Sequence, residues 1–166
     1  MHNRDRRHAA RTSIDELALL TGFLDDLRET ILWKLDGVTP EQGRASLLPS
    51  GMSLLGIAKH LGFVERYWFQ ARFAGRDVTF PWSDEDPDAD WRVEEWETPE
   101  GVAGFYRGEA EQSRQVVSAA PALDALATRG DPVTLRWILL HMIEETARHA
   151  GHADLLREAA DGATGE

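Results

Sequence analysis

Four ionisable side chains crowd one short stretch near the C-terminal end of the chain: His141, Glu145, His149 and His152. On a helix turning roughly 100° per residue they fall within about 80° of one another. Ile138 and Leu156 lie in the same sector, and Trp137 and Leu155 border it. Three imidazoles and a carboxylate therefore share the side that the apolar pattern marks as buried. Such burial is unfavourable unless the groups bond to one another or to an ion, and a metal would satisfy them. Glu145 and His149, four residues apart, put two ligand atoms one above the other on a helix face. His60 stands on the apolar face of an earlier helix. Alone it reads as a satisfied core histidine; from a helix facing the first stretch it would complete a His-Glu-His set. A catalytic zinc site commonly takes three protein ligands and leaves a position for water or substrate. Nitrogen and oxygen donors without sulfur admit zinc, the first expectation, and also nickel, cobalt, iron or manganese.

The elements that must position these residues read as helices. Ser13 and Glu16 form an S-x-x-E capping box before the series Leu17, Leu20, Leu24, Leu27, Ile31 and Leu35, whose alternating threes and fours suit a bundle helix. Its acids Asp25, Asp26 and Glu29 read as surface residues, and Gly37 then Pro40 ends it. Ser53 caps a second helix to about Phe73, with Ile57, Leu61, Val64 and Trp68 beside His60 and with Lys59 and Arg66 on a solvated back. Thr98 caps a third, with Pro99 at its first position and Val102, Phe105, Tyr106, Ala110, Val116 and Val117 on its apolar side. Asp131-Pro132 starts a fourth from Val133 to about Ala160, closed by Gly162. No useful strand alternation appears. The expected architecture is an all-α four-helix bundle spanning residues 13–162, behind a disordered polar tail at 1–12.

Residues 76–97, between the second and third helices, break the helical period. This long crossover carries prolines, acids and three exposed-looking aromatics, Phe80, Trp82 and Trp91. A connection of this length is often functional, and it reads either as a lid or as an acidic strap. Asp84, Asp86, Asp88 and Asp90 imitate a calcium loop but lack its glycine and terminal glutamate, so that reading is rejected.

Composition narrows the function. The 166 residues carry a formal net charge of −11 and no cysteine. The charge argues against a nucleic-acid surface; the missing cysteines remove disulfides, thiolate ligands and a cysteine nucleophile, and suit a cytoplasmic protein. The basic start has no apolar segment behind it, so it is not a signal peptide, and no run approaches the roughly 18 apolar residues of a membrane span. Phe23, Trp33 and Phe63 suggest a homodimer face. The zinc-protease motif H-E-x-x-H, the paired Glu-x-x-His helices of di-iron bundles, the G-x-S-x-G elbow and the phosphate and dinucleotide loops are all absent.

The run from Pro49 to Phe69, PSGMSLLGIAKHLGFVERYWF, together with the run from Trp137 to His152, WILLHMIEETARHAGH, resembles the DinB-like superfamily. The likeness is closest to its YfiT-like branch, related to mycothiol-dependent S-transferases and to maleylpyruvate isomerase, and covers roughly residues 14–160. It implies a four-helix bundle with a divalent metal held by a histidine of the second helix and two ligands one turn apart on the last: by position His60, Glu145 and His149. Many relatives have histidine where Glu145 stands; the isomerase branch has glutamate. The implied chemistry is a metal-bound low-molecular-weight thiol whose thiolate attacks a small electrophile. His141 and His152 then become candidates to hydrogen-bond Glu145 or a bound water. Two other functions compete with this S-transferase or isomerase: a hydrolase using metal-bound water, and a metal-binding structural or stress protein without catalysis.

Overall fold

The computed structural model describes residues 15–164. Helix α1 covers Glu16–Leu35, the short α2 Pro40–Arg44, and α3 Leu54–Glu65, which runs on without a break as a π-helix over Arg66–Phe73. Helix α4 covers Pro99–Ala119 and α5 Leu135–Asp161. Four long helices and no strand are present among the described residues, so the all-α bundle expected from the apolar spacing is what forms. The expected N-terminal tail lies outside the described residues.

Capping residues set most boundaries. Ser53 accepts from the Gly56 amide, Thr98 from Gly101, and Gly162 ends α5 in the left-handed region at φ 77°, where glycine carries no steric penalty. Two expectations are corrected, and one short helix is added. The cap of α1 is Asp15, whose carboxylate accepts from the Leu17 and Ala18 amides, rather than Ser13, which lies outside the described residues. Helix α5 begins at Leu135 behind a Thr134 cap, because residues 125–134 fold back on themselves through an antiparallel bridge between Leu126 and Thr134. Helix α2 is an addition: Thr39 and Gln42 make a reciprocal capping box around Pro40.

Helix α1 packs chiefly on α5, and α3 on α4. Two apolar clusters result. One gathers Ile31, Leu35, Leu55, Ile57, Leu61 and Tyr106 with Ala150, Ala153 and Leu156. The other gathers Leu24, Phe69, Phe73, Val116, Leu135, Ile138, Leu139 and Met142. Along α5 the second cluster ends at Met142 and the first begins at Ala150, so Glu145 and His149 sit at the level between them. The same level holds a buried ion pair the sequence reading missed: Arg28 donates to both carboxylate oxygens of Glu65, each at 2.7 Å, with side-chain exposures of 3% and 0%. Asp25 is not a plain surface acid, since it accepts from Arg28 and Arg114.

The long crossover from α3 to α4 is held down by cations. Lys59 donates to the Arg92 carbonyl at 2.7 Å and to Glu97 at 2.8 Å. Arg66 donates to the Thr79 carbonyl and to Glu109, and Arg44 to the carbonyls of Glu94, Glu95 and Glu97. Lys59 and Arg66 therefore do not form a solvated back; they fasten the connection. Close approach also needs Gly56, where a Cβ would stand 2.8 Å from the Trp91 carbonyl oxygen. Phe80, Trp82 and Trp91 are half-buried, not exposed, and so are Trp33 and Phe63; Phe63 packs against Phe105 and Trp82. Of the three residues suggesting a homodimer face, only Phe23 is exposed. No helix is long and apolar enough to cross a membrane.

Candidate metal centre

The i, i+4 spacing on α5 stacks Glu145 beneath His149, and the pairing of α3 with α5 brings His60 across to them. Glu145 Oε1 lies 3.2 Å from His149 Nε2 and 3.4 Å from His60 Nε2. One ligand atom from each of the three residues falls within 4.8 Å of the other two. Metal–ligand distances near 2.1 Å in a tetrahedral site require donor atoms about 3.4 Å apart. The two carboxylate–imidazole separations match that edge and are long for hydrogen bonds of charged partners. Side-chain exposures of 14%, 17% and 8% for His60, Glu145 and His149 leave the cluster screened but reachable. The donor set fits a divalent ion such as zinc, or a first-row metal of similar preference.

Electrostatics agree with a carboxylate ready to bind. Hydrogen bonds from His149 and His60 hold the Glu145 carboxyl well below the usual range, against the upward push of burial. For His60, burial favours the neutral ring, but its contacts with Asp90 and Glu145 outweigh that and raise its pKa. Arg148 stands 3.6 Å from the other Glu145 oxygen, at the outer side of the cluster.

The residue that sequence reasoning passed over is Asp90. Its Oδ2 lies 2.7 Å from His60 Nδ1, and it is buried on the crossover. This contact turns Nε2 of His60 toward Glu145, the arrangement by which a carboxylate orients a metal-ligating histidine and raises its basicity. Trp91 stacks on the same imidazole, with ring centres 3.9 Å apart and planes at 15°. The acidic crossover thus forms one wall of the cluster. Its signal in the sequence was an aspartate beside a tryptophan in a run otherwise dismissed as a calcium-loop imitation.

The other two histidines of α5 are placed differently. His141 stacks on Trp137 and meets Trp68 edge-on, with centres 5.1 and 4.8 Å apart, in an aromatic group on α3 and α5. His152 packs edge-on against His149 at 5.5 Å; its buried Nδ1, like that of His149, has no hydrogen-bond partner among the described residues. An open groove of about 450 Å³ starts at His60 and passes between the π-helical turn and the crossover.

Comparison with known proteins agrees with the architecture. Residues 19–162 match the family model described as Mycothiol-S-transferase. The crystal structure of a conserved protein from Enterococcus faecalis is similar, with a TM-score of 0.63 and 17% identity, covering 91% of this chain and 100% of that one. At that identity the likeness speaks for the fold. No curated protein matches the chain.

Proposed function

The chain belongs to the mycothiol S-transferase family, within the DinB-like fold, and from that premise we propose a divalent-metal-dependent transferase or isomerase joining a low-molecular-weight thiol to a small electrophile. His60, Glu145 and His149 are the proposed ligands. The observation that carries the reading is the convergence of three donor atoms from two helices, one of them on His60, which also lines an open groove. A divalent ion held by His60, Glu145 and His149 would supply a Lewis acid that lowers the pKa of a thiol, so that thiolate would be available near neutral pH.

The chain's own residues supply position and exclusion. Asp90 accepts the Nδ1 proton of His60 and fixes the tautomer that presents Nε2. Glu145 stays ionised between two imidazoles, and Trp91 covers His60 from the crossover side. The chain has no cysteine, so the sulfur nucleophile arrives with the cosubstrate. In transfer, the thiol proton passes to solvent, the sulfur electron pair forms the new S–C bond, and the electrophile's leaving group departs with the pair of the bond it breaks. In isomerisation, the thiolate adds to an electron-poor carbon–carbon double bond, whose π pair moves to carbon. After rotation that pair re-forms the double bond and expels the thiolate with the S–C pair.

Zinc-loaded protein offered mycothiol, bacillithiol or glutathione with a model electrophile should turn over with one of these thiols and lose that turnover on chelation. Absence of turnover with all three refutes the reading.

A further inference from the structure

The groove beside His60 has a composition that selects its occupant. Aromatic rings line it from two sides: Tyr67 and Trp68 from the π-helical turn, Trp82 and Trp91 from the crossover. These rings are held in place before any ligand arrives. Trp91 is stacked on His60 at 3.9 Å, Trp82 on Phe80 at 4.4 Å, and Trp68 sits edge-on to Tyr67 at 5.2 Å. A volume of about 450 Å³ accommodates a bicyclic ring system.

The charged lining has one sign. Asp88 and Asp90 face the groove, and among the described residues no lysine or arginine lines it. The nearby guanidinium groups are already engaged. Arg72 keeps its charge but already lies over the Tyr67 and Trp68 rings, 5.8 and 5.4 Å from their centres. It also donates to the Tyr67 hydroxyl and to the carbonyls of Arg129 and Asp131, which leaves Trp82 and Trp91 as the walls open to a cationic ring. Arg148 is tied to Glu144 and Glu145, at 2.5 and 3.6 Å. Beyond the His60 end, where a bound divalent ion would itself attract anions, a negatively charged ring would meet Asp88 with no lysine or arginine in the lining. A flat ring, by contrast, can stack on fixed aromatic walls, and a cationic ring gains further from Asp88 and Trp82.

We infer that this groove binds the second substrate, an electrophile built on a flat aromatic ring without negative charge, and that cationic rings are favoured. The assignment of the occupant as electrophile rests on the transferase reading; the binding preference does not, and it is measured without thiol or turnover.

The test uses the full metal-free chain, so that no bound ion biases the charge, and two probes built on the same bicyclic frame, N-methylquinolinium and naphthalene-2-sulfonate, followed by calorimetry and tryptophan fluorescence. The cation should bind at least tenfold tighter than the sulfonate. Trp82→Ala should weaken the cation at least tenfold. Asp88→Asn, an exposed change that leaves the rings intact, should narrow the ratio between the two probes at least threefold. Trp96→Ala, at an exposed tryptophan outside the groove, should change neither. Sulfonate binding as tight as the cation, no binding of the cation, or an unchanged ratio in Asp88→Asn overturns the inference.

Discussion

Asp90 offers the sharpest test of how the site is built. It contributes no proposed ligand atom and lies on a segment without regular structure, yet its carboxylate is 2.7 Å from His60 Nδ1. Partners of this kind are worth about 10–100-fold in metal affinity, or about 1.4–2.7 kcal/mol. The geometry assigns the two obvious variants to opposite ends of that range. Asp90→Asn keeps an acceptor for the Nδ1 proton but removes the charge, which carries about half the strength of such a bond, so a loss near tenfold is expected. Asp90→Ala leaves a buried N–H without a partner and removes the tether between crossover and imidazole, so the loss should approach 100-fold. Zinc affinity measured by competition with a chromophoric chelator reads the effect directly, and circular dichroism of the metal-free variants checks that the helices persist. Asp88→Asn, two residues away on the same crossover, should bind zinc like the parent. If Asp90→Ala binds zinc within about threefold of the parent, the carboxylate does not orient His60 and the crossover is not part of the metal centre.

Three further perturbations probe other links. His60→Ala and His149→Ala should each abolish stoichiometric metal in purified protein by elemental analysis, with His152→Ala losing far less; full metal in both of the first two variants places the site elsewhere. Gly56→Ala puts a methyl where a Cβ stands 2.8 Å from the Trp91 carbonyl oxygen, so it should lift the crossover and weaken zinc binding without touching a candidate ligand; parental affinity would show that the crossover yields freely. Glu65→Ala strands Arg28, only 3% exposed, without its carboxylate; urea unfolding should show a loss of about 3–5 kcal/mol, and a loss under about 1 kcal/mol would mean that water or Asp25 takes over.

The helices were legible because their information is local. Threes and fours of apolar residues mark α1, and Ser53, Thr98 and Gly162 mark ends whose chemistry needs no tertiary partner. Helix α2 escaped notice because five residues cannot show a period. The π-helical turn escaped because the same residues would read as α-helix; the i+5 pattern is imposed by packing. Period also identified which face of α5 carries Glu145 and His149, and which face of α3 carries His60, but not the rotation of one helix against the other that brings Nε2 of His60 to 3.4 Å from Glu145. Arg28 and Glu65 were passed over for a related reason: residue type places charges at the surface, and only a partner 37 positions away makes burial tolerable.

Asp90 lies beyond all these signals. A residue in a stretch with neither helical nor strand period has no face, so its position depends on whatever anchors the stretch. Here the anchors are scattered: Arg44 on carbonyls of the crossover, Lys59 on Glu97 and the Arg92 carbonyl, Arg66 on the Thr79 carbonyl, and a glycine at 56 that lets the backbone descend onto α3. Each belongs to a helix, and Lys59 and Arg66 were read there as a solvated back. Their joint effect is to press an aspartate and a tryptophan against one imidazole. The ligand triad could thus be inferred from spacing and resemblance, whereas the wall that orients it follows from contacts between residues distant in sequence, thirty positions for His60 and Asp90 and thirty-three for Lys59 and Arg92. That division predicts where substitutions will mislead: Lys59→Ala, nominally a surface change, should loosen the crossover and weaken zinc binding in the same direction as Gly56→Ala. An unchanged zinc affinity in Lys59→Ala, with Asp90→Ala still impaired, would show that the crossover is held by its own packing and that its cationic anchors are dispensable.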